Sequence, residues 1–225
     1  MVLQTFLGAL GLWTGAEELE RFAAKVVAQG APLHNCVGFI DGTMRVTCRP
    51  SENQKSAYSG YKRAHGLKFQ SIMLPNGIIG DLYGPVEGCR HDAAMLREST
   101  LLHRLQQNFN RPDGTTYQLY GDPAYPVSPY LLAPFGGAAR TEDQNAWNKK
   151  MSRVRQSVEW GFGNVVRKFA FLDYKKNLKI YLQPVGVYYV VGVLLVNCHN
   201  CLYSNIISQF FDCDPPVLED YLIKP

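Results

Sequence analysis

The chain has 225 residues, 46% of them hydrophobic, 19% charged and 12% aromatic. That composition supplies a buried core and excludes a wholly disordered or low-complexity protein, and the length fits one compact domain with extensions. A net charge of +4 excludes little by itself.

The opening MVLQTFLGALGLW is apolar enough for a signal peptide, but it lacks preceding basic residues and a small-residue cleavage site, and does not read as a leader. Residues 13–29 place Leu19, Phe22, Ala23, Val26 and Val27 at helical spacing, which predicts a lead-in helix begun at Thr14 or Gly15 and ended by Gly30 and Pro32. Val37 to Ile40 reads as a short strand that stops at Asp41-Gly42. Leu67 to Leu74 and Ile78 to Tyr83 read as a hairpin across Pro75-Asn76-Gly77, with Asn-Gly supplying positive φ angles. Asp92 is placed to cap a helix that runs to about Gln107. Tyr117 to Tyr120 is a further strand, stopped by Gly121-Asp122-Pro123.

The longest predicted helix, about Asp143 to Phe169, repeats Met151, Val154, Val158, Phe162, Val165 and Phe169 at steps of three or four. A last apolar helix spans about Val185 to Tyr203. Its longest unbroken apolar run, Val185 to Val196, is shorter than the roughly 18–20 residues of a membrane span. No membrane is expected as a partner. The order of elements predicts an α/β domain with a mixed sheet flanked by helices. Residues 1–35 form a lead-in helix and linker, 36–203 the main domain, and 204–225 an acidic, Pro-containing tail.

Cysteine usage points to reduced thiols inside a cell, because six cysteines are scattered through a chain too apolar to resemble a disulfide scaffold. Cys198 and Cys201 lack a second ligand pair at zinc-site spacing and read as core residues. The charge is unevenly distributed. From Arg45 to Lys68 six Lys/Arg face the single acid Glu52, and from Ala146 to Lys179 nine face Glu159 and Asp173. If the two segments share a face they form a footprint for a polyanion such as nucleic acid; otherwise each is ordinary solvated surface.

Three acids carry the chemistry. Asp41 and Asp122 each follow a predicted strand, and Glu159 lies beside the core-facing stripe of the long helix. Singly, each has a plain structural role: a turn with Gly42, an Asp-Pro turn, and an ion pair with Arg155 one helical turn earlier. Jointly, three oxygen ligands on adjacent strand ends and one helix could converge on Mg²⁺ or Mn²⁺. Two such ions can activate a nucleophile and stabilise the leaving oxygen of a phosphodiester. A metal-dependent phosphatase could use the same carboxylates, but the chain has no glycine-rich phosphate cradle.

GFIDGT (38–43), HGLKFQSIMLPNG (65–77), LYGPVEGCRHDAAML (82–96), LYGDPAYP (119–126), VRQSVEWGFG (154–163) and LLVNCHNCLY (194–203) resemble, in order, the blocks of the PIF/Harbinger-type DDE transposase nuclease domain. The resemblance implies an RNase H-like fold in which Asp41, Asp122 and Glu159 are a catalytic, metal-binding triad using two divalent ions, Mg²⁺ or Mn²⁺. It implies a DNA endonuclease or transposase activity, with DNA as partner and the nucleus as location. Asp92 is then either a helix cap or a supporting acid near the metals, and Lys62, Arg63, Lys68, Arg90, His91 and Arg155 are candidate phosphate contacts. Family members usually carry an N-terminal helical DNA-binding region, for which the residues before Gly38 are too few. End recognition is therefore expected from a Myb-like partner, or the chain is a truncated or domesticated, non-catalytic DNA-binding or protein-interaction module. A homo-oligomer stays open.

Overall fold

The computed structural model describes residues 15–111 and 113–223; the apolar opening segment and Thr14 lie outside them. Helix α1 (Ala16–Ala28) starts at Gly15 and buries Leu19, Phe22, Ala23 and Val26, the stripe its spacing predicts. It packs on β1 (Cys36–Val46), and the two share one hydrophobic core. After a single-turn helix α2 (Gln54–Ala57), the short β2 (Tyr58–Ser59) leads into β3 (Ala64–Met73) and β4 (Ile79–Glu87).

The β3–β4 turn differs from the expected one. Gly77 alone takes a positive φ, 80°, and its N–H donates to Leu74 O at 3.0 Å, while Asn76 Oδ1 accepts from Ile78 N. Proline at the second position and glycine at the fourth suit that arrangement. Strand β4 continues past Tyr83 through Gly84-Pro85, with a register shift opposite Lys68 and Gln70. Among the described residues it pairs only with β3, and an edge strand tolerates a residue that cannot donate to a ladder.

The single helix expected from Asp92 to Gln107 is two, α3 (Asp92–Glu98) and α4 (Leu101–Asn108). They part at Thr100, whose φ is 54°, beside the buried Ser99, whose hydroxyl donates back to Leu96 O at 2.8 Å. A serine that bonds its own backbone competes with helix continuation. Strands β5 (Gln118–Tyr120) and β6 (Leu131–Leu132) follow, then the long α5 (Glu142–Lys168). Helix α5 begins in a capping box between Thr141 and Gln144 and buries Met151, Val154, Val158, Phe162 and Val165.

The sheet runs β2-β3-β1-β5-β6, with β4 also on β3. The pairs β4–β3 and β3–β1 are antiparallel, whereas β1–β5 and β5–β6 are parallel. This is the mixed, RNase H-like α/β arrangement. Helix α6 (Val185–Leu202) has the length and hydropathy of a membrane span, mean hydropathy 1.6, yet half of it is buried, with Tyr189, Val193 and Val196 in the core. Two short helices, α7 (Ile206–Phe211) and α8 (Leu218–Ile223), occupy the tail; Ile207 and Phe211 join the core, and the Tyr221 hydroxyl meets the buried Asn197. All six cysteines are free.

Candidate metal centre

Asp41 does not follow a strand. Strand β1 runs through it, opposite Ser71 of β3, so its backbone is held on the β3 side by the antiparallel ladder. Its Oδ1 accepts from Gly42 N at 2.8 Å, and its Oδ2 accepts from Arg155 Nη1 at 3.1 Å. Asp122 lies just past β5, the parallel neighbour of β1, and its Oδ1 accepts from Ala124 N at 2.9 Å. The turn expected at Asp122 is present, whereas the one expected at Asp41-Gly42 is replaced by continuous strand; in both, a backbone N–H fixes the carboxylate.

Asp92 is the first residue of α3 with His91 at the capping position, and neither makes a side-chain cap bond. The expected helix cap is thus corrected. The Asp92 carboxylate turns toward the sheet: Oδ1 accepts from Lys68 Nζ at 3.1 Å and would stand 2.8 Å from a β-carbon on Gly42. Glycine at position 42 leaves the room in which Asp92 sits beside Asp41's own strand.

Burial dominates the electrostatics of this group. It pushes the Asp41 carboxyl up to about 6, opposed by the Arg155 guanidinium and the Gly42 N–H and reinforced by the charge of Asp122. Asp122 is also raised, first by burial and then by Asp92, against the Ala124 N–H and the cations Arg155 and Lys68. Tyr125 was not foreseen as part of the site, although it stands in the LYGDPAYP block three residues after Asp122. Among the described residues its buried hydroxyl has no hydrogen-bond partner, and burial together with Asp92, Asp41 and Asp122 drives it well above the ordinary tyrosine range.

Glu159 stands apart. Its side chain is 58% exposed, and its carboxylate lies 3.6 Å from Arg155 Nη2. The expected i,i+4 pair exists, but Arg155 approaches Asp41 more closely and so joins the two acids. The convergence of Asp41, Asp122 and Glu159 on one point does not occur as the side chains stand: among the described residues no three His, Cys, Asp or Glu are grouped to hold a metal ion. A guanidinium between Asp41 and Glu159 offsets their charge and separates them.

The chemistry of the donors, though not their present grouping, suits a hard divalent cation. They are carboxylate oxygens fixed at one side by backbone N–H groups, held partly out of water and repelling one another, with a buried phenol alongside.

The candidate phosphate contacts divide into two sets. Lys68, Arg90 and Arg155 are ion-paired, with Asp92, with Glu87 and Glu98, and with Asp41 and Glu159 respectively. Lys62, Arg63 and His91 are exposed; Lys62 Nζ sits 5.4 Å from the Tyr61 ring centre.

An RNase H-like sheet carrying half-buried acids on β1 and directly after its parallel neighbour β5 defines a carboxylate-centred domain of the nuclease type. Residues 40–197 match the family model of the DDE superfamily endonucleases, and the chain belongs to that family. No curated protein and no solved structure matches it.

Proposed function

We propose that the chain is the catalytic domain of a divalent-metal-dependent DNA endonuclease or transposase of the PIF/Harbinger type, cleaving phosphodiester bonds by a DDE two-metal mechanism. Family membership supports the nuclease class, and the observation that carries the site is the placement of half-buried Asp41 on β1 and half-buried Asp122 just past the parallel neighbour β5. Asp41, Asp122 and Glu159 would hold Mg²⁺ or Mn²⁺, with Asp92 as a supporting acid. When bound, the ions activate the attacking oxygen and stabilise the leaving one.

The chain's own residues do the positioning. Gly42 and Ala124 N–H groups orient the two aspartates, and Lys68 holds Asp92 against Gly42. Arg155 bridges the carboxylates of Asp41 and Glu159. It must yield Glu159 for that side chain to turn inward. DNA is the substrate, with the nucleus as location and a Myb-like protein or a second copy of the chain as candidate partners for end recognition.

Supercoiled and linear duplex DNA incubated with Mg²⁺ or Mn²⁺ tests this reading. The chain, with its partner supplied, is expected to nick or cleave, and Asp41→Asn and Asp122→Asn are expected to lose at least ~10²-fold in rate, the scale of losing transition-state charge stabilisation. Equal rates in the variants overturn the proposal. A second reading, a DNA-binding module that does not cut, is favoured by the Arg155 bridge, which places a cation between Asp41 and Glu159 without metal. It predicts DNA retention indifferent to chelators and to both substitutions.

A further inference from the structure

The two basic segments meet. Cys48, just beyond β1, donates its N–H to Leu178 O at 2.9 Å, and its thiol lies 3.2 Å and 3.0 Å from Lys175 O and Lys176 O. These bonds bind the loop after α5 to the far end of the β1–β3 ladder and create a concavity of about 300 Å³ lined by Arg49, Arg63, His65, Lys175 and Lys176. Arg49, Arg63, Lys175 and Lys176 are all exposed, and among the described residues none is ion-paired with a carboxylate. Arg49 is held instead by the neutral Gln54 Oε1, at 2.6 Å from Nη2. Arg63 adopts φ 49°, an uncommon backbone for arginine, at the entrance to β3. The cations at the acid cluster are offset by carboxylates, whereas those of this concavity are not.

We infer that this concavity is a phosphate-backbone subsite for duplex DNA, separate from the carboxylate centre and resting on the nuclease reading above. Its distance from the acids gives it a purpose. Val46, on the rim, lies five residues beyond Asp41 along β1, which is about 17 Å at ~3.4 Å per residue. A duplex rises about 3.4 Å per base pair, so one lying along β1 has the subsite about five pairs from the cut, where half a helical turn brings the complementary strand's phosphates to the same face. Arg63, Lys175 and Lys176 then set where along the backbone the scissile bond lies, in the way phosphate contacts fix register without reading sequence.

The test uses the full chain carrying Asp122→Asn, so that binding is read apart from cleavage, and a fluorescent duplex of about 20 base pairs, long enough to reach both places. Arg63→Gln, Lys175→Gln and Lys176→Gln are introduced together; all three side chains are exposed, and a thermal melt verifies that the fold persists. The slope of log affinity against log salt is expected to fall by about 2.7, with binding weakened roughly tenfold or more near 0.1 M salt. In the parent, duplex is expected to slow acetylation of Lys175 and Lys176, read by mass spectrometry. An unchanged slope, or acetylation rates indifferent to duplex, overturns the subsite. A chain that cuts DNA yet shows either result overturns the subsite alone; one that shows the loss but never cuts overturns the nuclease reading and leaves the subsite standing.

Discussion

Arg155 touches both Asp41 and Glu159, so the charge state of the centre turns on one guanidinium. Its positive charge holds the Asp41 carboxyl below the value that burial alone would give it, and the same charge opposes a divalent ion at that place. Arg155→Gln is therefore expected to tighten Mg²⁺ binding at pH 8, where the Asp41 carboxyl is ionised, by about tenfold, equivalent to about 1.4 kcal/mol. Titration of Mn²⁺ by electron paramagnetic resonance measures this directly, and weaker or unchanged binding would show that Arg155 does not compete with the ion. Its partnership with Glu159 was legible in the sequence because it is local, one helical turn apart. The closer bond to Asp41 spans 114 residues and follows from how α5 lies on β1, which no short-range pattern reports. Of the two roles open to Asp92, the cap is absent for a related reason. An aspartate at a helix start reads as a cap, and only the β1–β3 pairing reveals Lys68 and the space above Gly42 as its actual surroundings.

At the scale of elements, periodicity carried most of the reading. The stripe of α5 and the apolar length of α6 are repeated local signals, and both helices begin and end within a residue or two of their expected limits. What failed was local chemistry inside a periodic run, as where Ser99 divides α3 from α4, and continuity across a breaker, as where β4 passes through Gly84-Pro85. Equally hidden was the device that ties the edge strand to α6. Asn197, fully buried, accepts from Ile79 N and donates to Ile79 O, both at 2.9 Å, and also donates to the Tyr221 hydroxyl at 3.0 Å. Asparagine can satisfy both backbone groups of one residue at once. Asn197→Ala would leave those groups buried and unpaired, at a cost of about 2–3 kcal/mol in urea unfolding. A loss below about 0.5 kcal/mol, the range of an ordinary surface substitution, would show that β4 is held by other contacts.

For the whole molecule, the raised Asp41 carboxyl links folding, pH and metal. Its pKa of about 6 in the folded chain compares with about 3.9 for an unperturbed aspartate, as in the unfolded chain. Between those values the folded form keeps a proton that the unfolded chain releases, so this group's contribution to stability falls as pH rises through that window and stays at its low level above it. A divalent ion held by the ionised carboxylate acts in the opposite sense, because it binds the folded form and stabilises it by mass action. Saturating Mg²⁺ is therefore expected to raise the melting temperature by several degrees at pH 8 and by little at pH 5, with a midpoint near 6 that moves down as Mg²⁺ is raised. In Asp41→Asn the increment at pH 8 should fall sharply, because one of the carboxylates that would hold the ion is gone. Calorimetric scans across the range decide the matter, since an increment equal at pH 5 and pH 8 would mean that the ion is held elsewhere and that Asp41 is buried for the fold alone.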